Sequence, residues 1–206
     1  MAETPDRSVF YDELLTSYGE TLTARPHAMG FFDWFQKQGA DALASGRHDA
    51  DLLFRRVGIT FNVYGDQEGA ERLIPFDLIP RILTAAEWST LERGLAQRVN
   101  ALNAFLQDIY HEQRIIAEKI VPADLIHQNP QYRPELHGVK LPHDVWAHIS
   151  GIDIVRAEKG EFYVLEDNLR VPSGVSYMIE DRKVMMRLFP EIFASNSVAP
   201  VEHYPD

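Results

Sequence analysis

The segment from Gly151 to Asn168 constrains the fold more than any other part of the chain, because two apolar runs flank Lys159 and Gly160 there. Alternating apolar and β-branched residues predict strands, and a short turn containing glycine between two such runs predicts a hairpin. The glycine would supply the positive φ that a two-residue turn requires. The segment is therefore predicted to be an antiparallel hairpin with its turn at Lys159 and Gly160.

This turn predicts which residues stand opposite each other. Glu158 would pair with Glu161, and counting onward places Asp153 directly opposite Glu166, with Asn168 two residues further along. Opposed side chains in an antiparallel pair have Cβ atoms about 5 Å apart, and like charges at that distance are destabilising. By alternation, one face would carry Asp153, Val155, Phe162, Val164, Glu166 and Asn168, and the other, buried face would carry Ile152, Ile154, Tyr163 and Leu165.

A divalent cation would resolve the conflict between the two carboxylates. Oxygens from Asp153, Glu166 and Asn168 are hard ligands that suit Mg²⁺ or Mn²⁺, with water and phosphate oxygens in the remaining positions. The alternative is a solvated acidic strand end neutralised by Arg156 or Arg170. Alternation places Arg156 on the opposite face, whereas Arg170 falls roughly on the side of Asn168, where it could hold a phosphate or carboxylate oxygen.

The residues after the hairpin suit an anionic ligand. Ser173 and Gly174 would let the backbone approach a ligand closely. Ser176 is predicted to be the N-cap of a helix that runs to Leu188 and ends before Pro190. A helix N-terminus attracts phosphate groups, so these residues are candidates for nucleotide binding.

The clearest helix begins at a capping box, in which Thr84 is the N-cap and Glu87 the third helical residue. Its apolar residues recur every three or four positions from Trp88, which predicts a core-facing stripe over residues 84 to about 114. Elsewhere the patterns predict a helical segment over 1–57 with a loop at 45–47, strands at 58–64 and from 145, an extended piece at 72–80, and a linker-like tail at 194–206.

Composition excludes several classes of protein. With 20 Lys+Arg, 31 Asp+Glu and no basic patch, the net charge of −11 disfavours nucleic acid as a partner. The absence of cysteine excludes disulfides, thiolate metal sites and a cysteine nucleophile, and it fits a reducing compartment. The acidic, polar start is unlike a signal peptide, and no apolar run of about 18 residues exists. We expect a cytoplasmic protein that does not bind membranes.

Four motifs resemble one family, the circularly permuted ATP-grasp type 2 proteins, over roughly residues 50–193. They read G-I-T-F-N-V-Y-G-D at 58–66, I-P-F-D-L-I-P-R-I-L at 74–83, E-W-S-T-L-E-R-G-L-A-Q-R-V-N-A-L-N at 87–103, and L-E-D-N-L-R-V-P-S-G-V-S-Y at 165–177. The resemblance implies an α+β fold that is circularly permuted and ATP-grasp-like, with a mixed or antiparallel sheet and packed helices. Domains would then be an N-terminal helical segment (1–57), the N-terminal part of the ATP-grasp domain (58–193) and the tail (194–206).

The resemblance also implies a function. The family is regarded as ATP-dependent carboxylate–amine ligases akin to glutathionylspermidine synthetases, which act through an acyl phosphate on small-molecule or peptide substrates. It would make Asp153, Glu166 and Asn168 the ligands of Mg²⁺ or Mn²⁺ and Arg170 a catalytic contact to ATP phosphate or acyl phosphate. Ser173, Gly174 and Ser176 would line the nucleotide and substrate side.

Family members are expected to be more than twice as long as this chain, which is therefore expected to be an incomplete, N-terminal part of a ligase. Its partner would be the missing C-terminal ATP-grasp part. The sequence contains no Gly-rich phosphate loop of the Walker type. Two alternatives remain open: a non-catalytic module that keeps the fold and binds a partner, and a metal-dependent phosphohydrolase that uses the same acidic hairpin.

Further polar residues have open roles. Arg81 and Arg98 lie in the motifs and are either structural ion pairs or substrate contacts, and Asp66 either caps a turn or faces a ligand. The role of Tyr177 is also open. A zinc site is conceivable, although irregularly spaced, at His127, His137, His143 and His148.

Overall fold

A computed structural model describes residues 11–18, 21–58, 60–61, 72–73 and 76–204 and divides the chain into two compact units. The first unit comprises residues 1–83 and 173–206, and the second comprises residues 84–172. In the described ranges, the strands pair as three antiparallel two-stranded ladders, β1 with β2, β3 with β4 and β5 with β6. The fold is mixed, with helices and small antiparallel sheets.

The first unit contains two short ladders and four helices within its described residues. Its elements are β1 (Leu15–Tyr18), β2 (Thr21–Ala24), a 3₁₀ turn (Pro26–Ala28), α1 (Met29–Lys37), α2 (Ala40–Val57), β3 (Thr60–Phe61), β4 (Arg72–Leu73), α6 (Val175–Leu188) and α7 (Pro190–Ser195).

The second unit carries the long helix and the hairpin. Its elements are α3 (Ala85–Ile109), α4 (Arg114–Ala117), α5 (Ala123–His127), 3₁₀ turns at Pro134–Leu136 and Pro142–Asp144, β5 (Gly151–Arg156) and β6 (Phe162–Asn168).

An aromatic core holds the first unit together. Phe54 is fully buried and its ring lies 5.4 Å from that of Phe76. The loop predicted at 45–47 is wrong, because these residues lie inside α2. Gly46 serves close packing there, since a Cβ at this position would come within 2.9 Å of the Phe189 ring. The core consists of Phe31, Ala50, Phe54, Phe76, Val184, Met185, Phe189 and Ile192.

The N-terminal predictions hold only in part. The helical prediction for 1–57 is wrong for β1 and β2, which form a hairpin, and correct for α1 and α2. Gly58 ends α2 with a φ of 75°, as its C-terminal position predicts. Of the strand predicted at 58–64, Thr60–Phe61 is observed. Asp66 and the neighbouring positions lie outside the described residues.

The start of α3 is as predicted. The hydroxyl of Thr84 accepts a hydrogen bond from the Glu87 amide at 3.2 Å, and the Thr84 amide donates to the Glu87 carboxylate at 2.8 Å. Leu91 and Ile109 are buried along the predicted stripe, but Trp88 at its beginning is 55% exposed.

The predicted end of α3 near residue 114 is wrong, because α3 ends at Ile109. Gln113 has a φ of 53°, which breaks the helical path. The Asp108 carboxylate then accepts the amides of Arg114 and Ile115, each at 3.0 Å, and so caps a new short helix, α4.

A stack of aromatic rings forms the core of the second unit. Tyr110 lies between Tyr132 and Trp146, with ring centroids 5.0 and 4.9 Å away. Two side chains of α3 fix the segment before β5. The Asn103 carbonyl accepts the backbone amide of Trp146 at 2.7 Å, and Gln107 accepts its indole N–H at 2.7 Å. The strand predicted from 145 begins only at Gly151.

Among the helices of the described ranges, none is both long and apolar enough to cross a membrane.

Candidate functional site

The hairpin of β5 and β6 brings together the residues that the sequence analysis singled out. Asp153 is paired with Glu166, as predicted, and the same register pairs Gly151 with Asn168. A Cβ on Gly151 would come within 2.7 Å of Pro172, so the lack of a side chain at the start of β5 lets Pro172, which follows β6, pack closely against it. The open end of the hairpin therefore has the predicted register.

The turn differs from the prediction. The Ala157 amide donates to the Glu161 carbonyl at 2.9 Å, and the Gly160 amide donates to the Ala157 carbonyl at 2.8 Å. These bonds enclose a loop of Glu158, Lys159 and Gly160, so the predicted two-residue turn and the pairing of Glu158 with Glu161 are wrong. Gly160 does adopt a positive φ, 85°, as in three-residue hairpin loops that end on a left-handed glycine.

A β-bulge restores the predicted register. Ile154 pairs with Val164, whereas Asp153 pairs with Glu166, so Leu165 is the extra residue on β6. A bulge changes which way the following side chains face. Four residues are consequently assigned to the wrong face: Phe162 and Val164 lie on the half-buried face, and Tyr163 and Leu165, predicted to be buried, are 56% and 68% exposed.

The exposed face of the hairpin carries oxygen ligands at its open end. Asp153, Glu166 and Asn168 are all exposed, and the Asn168 amide donates to a Glu166 carboxylate oxygen at 3.0 Å. This bond leaves the amide oxygen of Asn168 available. Two carboxylates and one amide oxygen are the donor chemistry that suits Mg²⁺, with water and phosphate completing the coordination. The residues present therefore fit a magnesium ion.

The opposite face is fastened to α3 at its open end. Arg98 of α3 binds the Asp167 carboxylate with both prongs of its guanidinium, at 2.7 and 2.6 Å. The Asp167 side chain is only 16% exposed. The hydrogen bonds from Arg98 lower the pKa of Asp167. Of the two roles left open for Arg98, the structure shows the ion pair.

A second anchor lies near the turn. The Arg156 side chain is only 7% exposed, forms an ion pair with Glu87, and its guanidinium lies 4.6 Å from the centre of the Phe162 ring. Burial opposes the ionisation of Glu87, but hydrogen bonds from Thr84 and Arg156 outweigh it and lower the pKa of Glu87. Arg156 lies on the face opposite Asp153, as alternation predicts.

Arg170 follows β6 on an exposed stretch. Its guanidinium donates to the Gln131 side chain at 3.2 Å. The next residue, Val171, is 86% exposed and has a φ of 49°, a conformation that is strained for a β-branched side chain. Sequence reasoning missed Gln131, because nothing in its local pattern marks it as a neighbour of residues almost forty positions away.

The candidate nucleotide contacts lie in the other compact unit. The second unit ends at Pro172, and Ser173, Gly174 and Ser176 belong to the first unit. The N-cap of α6 is Gly174, with a φ of 98°, and not Ser176, which is the second helical residue. Glycine adopts this left-handed conformation without strain, whereas a serine would be strained there.

The remaining candidate residues lie apart from the hairpin face in sequence, and one of them forms an ion pair. Arg81 binds the Glu13 carboxylate through two hydrogen bonds, at 2.7 and 2.6 Å. Tyr177 lies on α6 and is 36% exposed. In the part of the chain that the structure describes, no group of three or more His, Asp or Glu side chains is arranged so that it could hold a metal ion. The four histidines considered for zinc are therefore not brought together as a metal site.

Comparison with known proteins connects the chain to one family and to longer relatives. The sequence model for circularly permuted ATP-grasp type 2 matches residues 80–206. An uncharacterized protein of Synechocystis is 44% identical over 97% of this chain and 41% of its own length. One from Mycobacterium tuberculosis is 39% identical over 91% of this chain and 36% of its own length.

A third relative, from Frankia alni, has a name that suggests a glutamate–cysteine ligase. It is 41% identical over 88% of this chain and 20% of its own length. The chain thus spans about two fifths or less of the length of these relatives.

Proposed function

Because the chain belongs to the circularly permuted ATP-grasp type 2 family, we propose that it is the N-terminal, magnesium-binding part of an ATP-dependent carboxylate–amine ligase. The observation that carries the proposal is the pairing of Asp153 with Glu166, with Asn168 on the same exposed face. Like charges are costly in that arrangement unless a cation lies between them. In this proposal the hairpin of β5 and β6 is the metal-binding part of a circularly permuted ATP-grasp domain, and longer family members contain the rest of that domain.

The residues of the hairpin would act on ATP and on the substrate carboxylate. Asp153, Glu166 and Asn168 would hold Mg²⁺, which neutralises phosphate charge when bound. Arg170 would contact the phosphate being transferred, because its planar guanidinium binds phosphate oxygens in pairs. Ser173, Gly174 and Ser176 would contribute to nucleotide and substrate binding around the start of α6.

The proposed reaction has two steps. A substrate carboxylate attacks the γ-phosphorus of ATP, which forms an acyl phosphate and releases ADP. The amine of the second substrate then attacks the acyl carbon and loses a proton to solvent, the bond to phosphate breaks, and an amide and inorganic phosphate leave. The name of the Frankia relative supports amino acids as the first compounds to try as acid and amine.

The test measures ADP release by a chimera of this chain and the remaining part of the Synechocystis relative, with ATP, Mg²⁺ and a panel of amino acids. We expect release that requires both an acid and an amine, and that Glu166→Gln abolishes. Glu161→Gln, an acidic change at the turn end of the hairpin, should leave it intact. ADP release without any acid would instead support a phosphohydrolase, and metal binding without turnover would support a non-catalytic module.

A further inference from the structure

The bulge at Leu165 separates the hairpin into two stretches with different registers. The pairs nearest the turn follow one register, and the pairs of Asp153 with Glu166 and Gly151 with Asn168 follow another. Contacts at the turn, including the anchor between Arg156 and Glu87, therefore lie on the other side of this register change from Glu166. A contact beyond the bulge is better placed to hold Glu166 on its face.

The bond between Arg98 and Asp167 is in the right place to do so. Asp167 lies between Glu166 and Asn168 in the strand, and successive strand side chains point to opposite faces. Holding Asp167 against α3 therefore directs both of its neighbours to the exposed face, where Asp153 also lies. The two prongs at 2.7 and 2.6 Å define the orientation of the Asp167 carboxylate as well as its distance.

We propose that Arg98 is a positioning residue for the divalent-cation site, and that it acts by holding Asp167 so that Glu166 and Asn168 face Asp153. Arg98 donates to Asp167 on the face opposite Asp153 and Glu166, so in this proposal it acts through Asp167 and not as a ligand of the cation. This inference rests on the proposed function, because it requires the hairpin face to bind a cation. It adds Arg98, on α3, to the residues of β5 and β6 that form the cation site.

Positioning and charge predict opposite results. Removing a positive guanidinium near a cation site would tighten cation binding by simple electrostatics. Losing a positioning contact would weaken it, and partners outside the ligand set of metal sites are typically worth about 10- to 100-fold in affinity. The sign of the change therefore distinguishes the two roles.

The test is a titration of the 206-residue chain with Mn²⁺ alone. Binding is monitored by NMR, as the paramagnetic broadening of the backbone amide signals of Glu166 and Asn168. We expect Arg98→Ala to weaken Mn²⁺ binding by about tenfold or more. Arg98→Lys keeps the charge but cannot form the two-pronged contact, so binding should weaken by several-fold. Arg93→Ala removes the same charge from the same helix, where Arg93 contacts Ser89 instead, and should not weaken binding.

Arg98→Lys keeps the inference testable if Arg98→Ala does not fold. Unchanged or tighter Mn²⁺ binding in the folded Arg98 variants, with normal binding by the unmodified chain, would overturn the positioning role and leave the proposed function standing. Absence of Mn²⁺ broadening at Glu166 and Asn168 in the unmodified chain would overturn the metal site itself, and the inference with it.

Discussion

Asp153 and Glu166 face each other as like charges, and the hydrogen bond from Asn168 offsets part of that conflict on the side of Glu166. We expect Asp153→Asn to raise the melting temperature of the metal-free protein slightly, because opposed like charges cost roughly 0.2–1 kcal/mol. Thermal melts in EDTA measure this. The same variant should lose any stabilisation by added Mn²⁺. A lower melting temperature in EDTA would show that the pair is not repulsive.

Asp167 gives the hairpin a dependence on pH. Hydrogen bonds from Arg98 lower its folded-state pKa, so its contribution to stability is present above the unfolded pKa of about 3.9 and is lost as the pH falls through the lower folded value. The difference in melting temperature between the unmodified chain and Asp167→Asn should therefore shrink below about pH 4. Melts across the acidic range measure it.

The control for this prediction removes the cause of the shift. In an Arg98→Met background, Asp167→Asn should produce a smaller pH dependence, because the donor that lowers the pKa is gone. If the difference in melting temperature between the unmodified chain and Asp167→Asn stays constant at every acidic pH, then Arg98 does not stabilise the ionised form of Asp167.

At the scale of elements, the hairpin shows what strand patterns can and cannot predict. The pairing of Asp153 with Glu166 was predicted from a turn that is wrong by one residue, and it is correct because the bulge at Leu165 adds the residue back. Alternation did not reveal this bulge, since the extra residue, Leu165, is apolar like Val164 before it. For the same reason, the sequence predicted Tyr163 and Leu165 to be buried, although both are exposed.

Long helices and caps were more predictable than breaks. The capping box of Thr84 and Glu87 is a local signal, and it is confirmed. The break between α3 and α4 involves the positive φ of Gln113 and the capping of α4 by Asp108, which no periodicity marks. The contact between Arg98 and Asp167 joins two elements, so spacing alone left Arg98 undecided between an ion pair and a substrate contact.

The loop of the hairpin makes a prediction of its own. Gly160→Val should lower stability by about 1–2 kcal/mol or more, because a β-branched residue resists the positive φ of 85° observed there. Gly94→Val, inside α3 with no atom near a new Cβ, should cost little. Chemical denaturation of both variants gives the comparison. Equal stability of the two variants would mean that the hairpin loop does not depend on the positive φ of Gly160.

At the scale of the whole molecule, the chain spans 41% of the length of its Synechocystis relative. Phosphoryl transfer depends almost entirely on positioning and electrostatic stabilisation, so under the proposed function the hairpin, as one part of a nucleotide clamp, should by itself give essentially no catalysis. We predict that the 206-residue chain alone releases no ADP above background from ATP and Mg²⁺. Robust release that Glu166→Ala abolishes would show that this chain is catalytically sufficient.

The most direct test of the central claim is anomalous diffraction from crystals of the chain soaked in Mn²⁺. We predict an anomalous peak at the open end of the hairpin, next to oxygens of Asp153, Glu166 and Asn168, which are the hard ligands that such a cation prefers. The peak should vanish in Glu166→Gln crystals of the same form. A Mn²⁺ peak elsewhere on the chain, with none between Asp153 and Glu166, would contradict the claim that this face binds the metal.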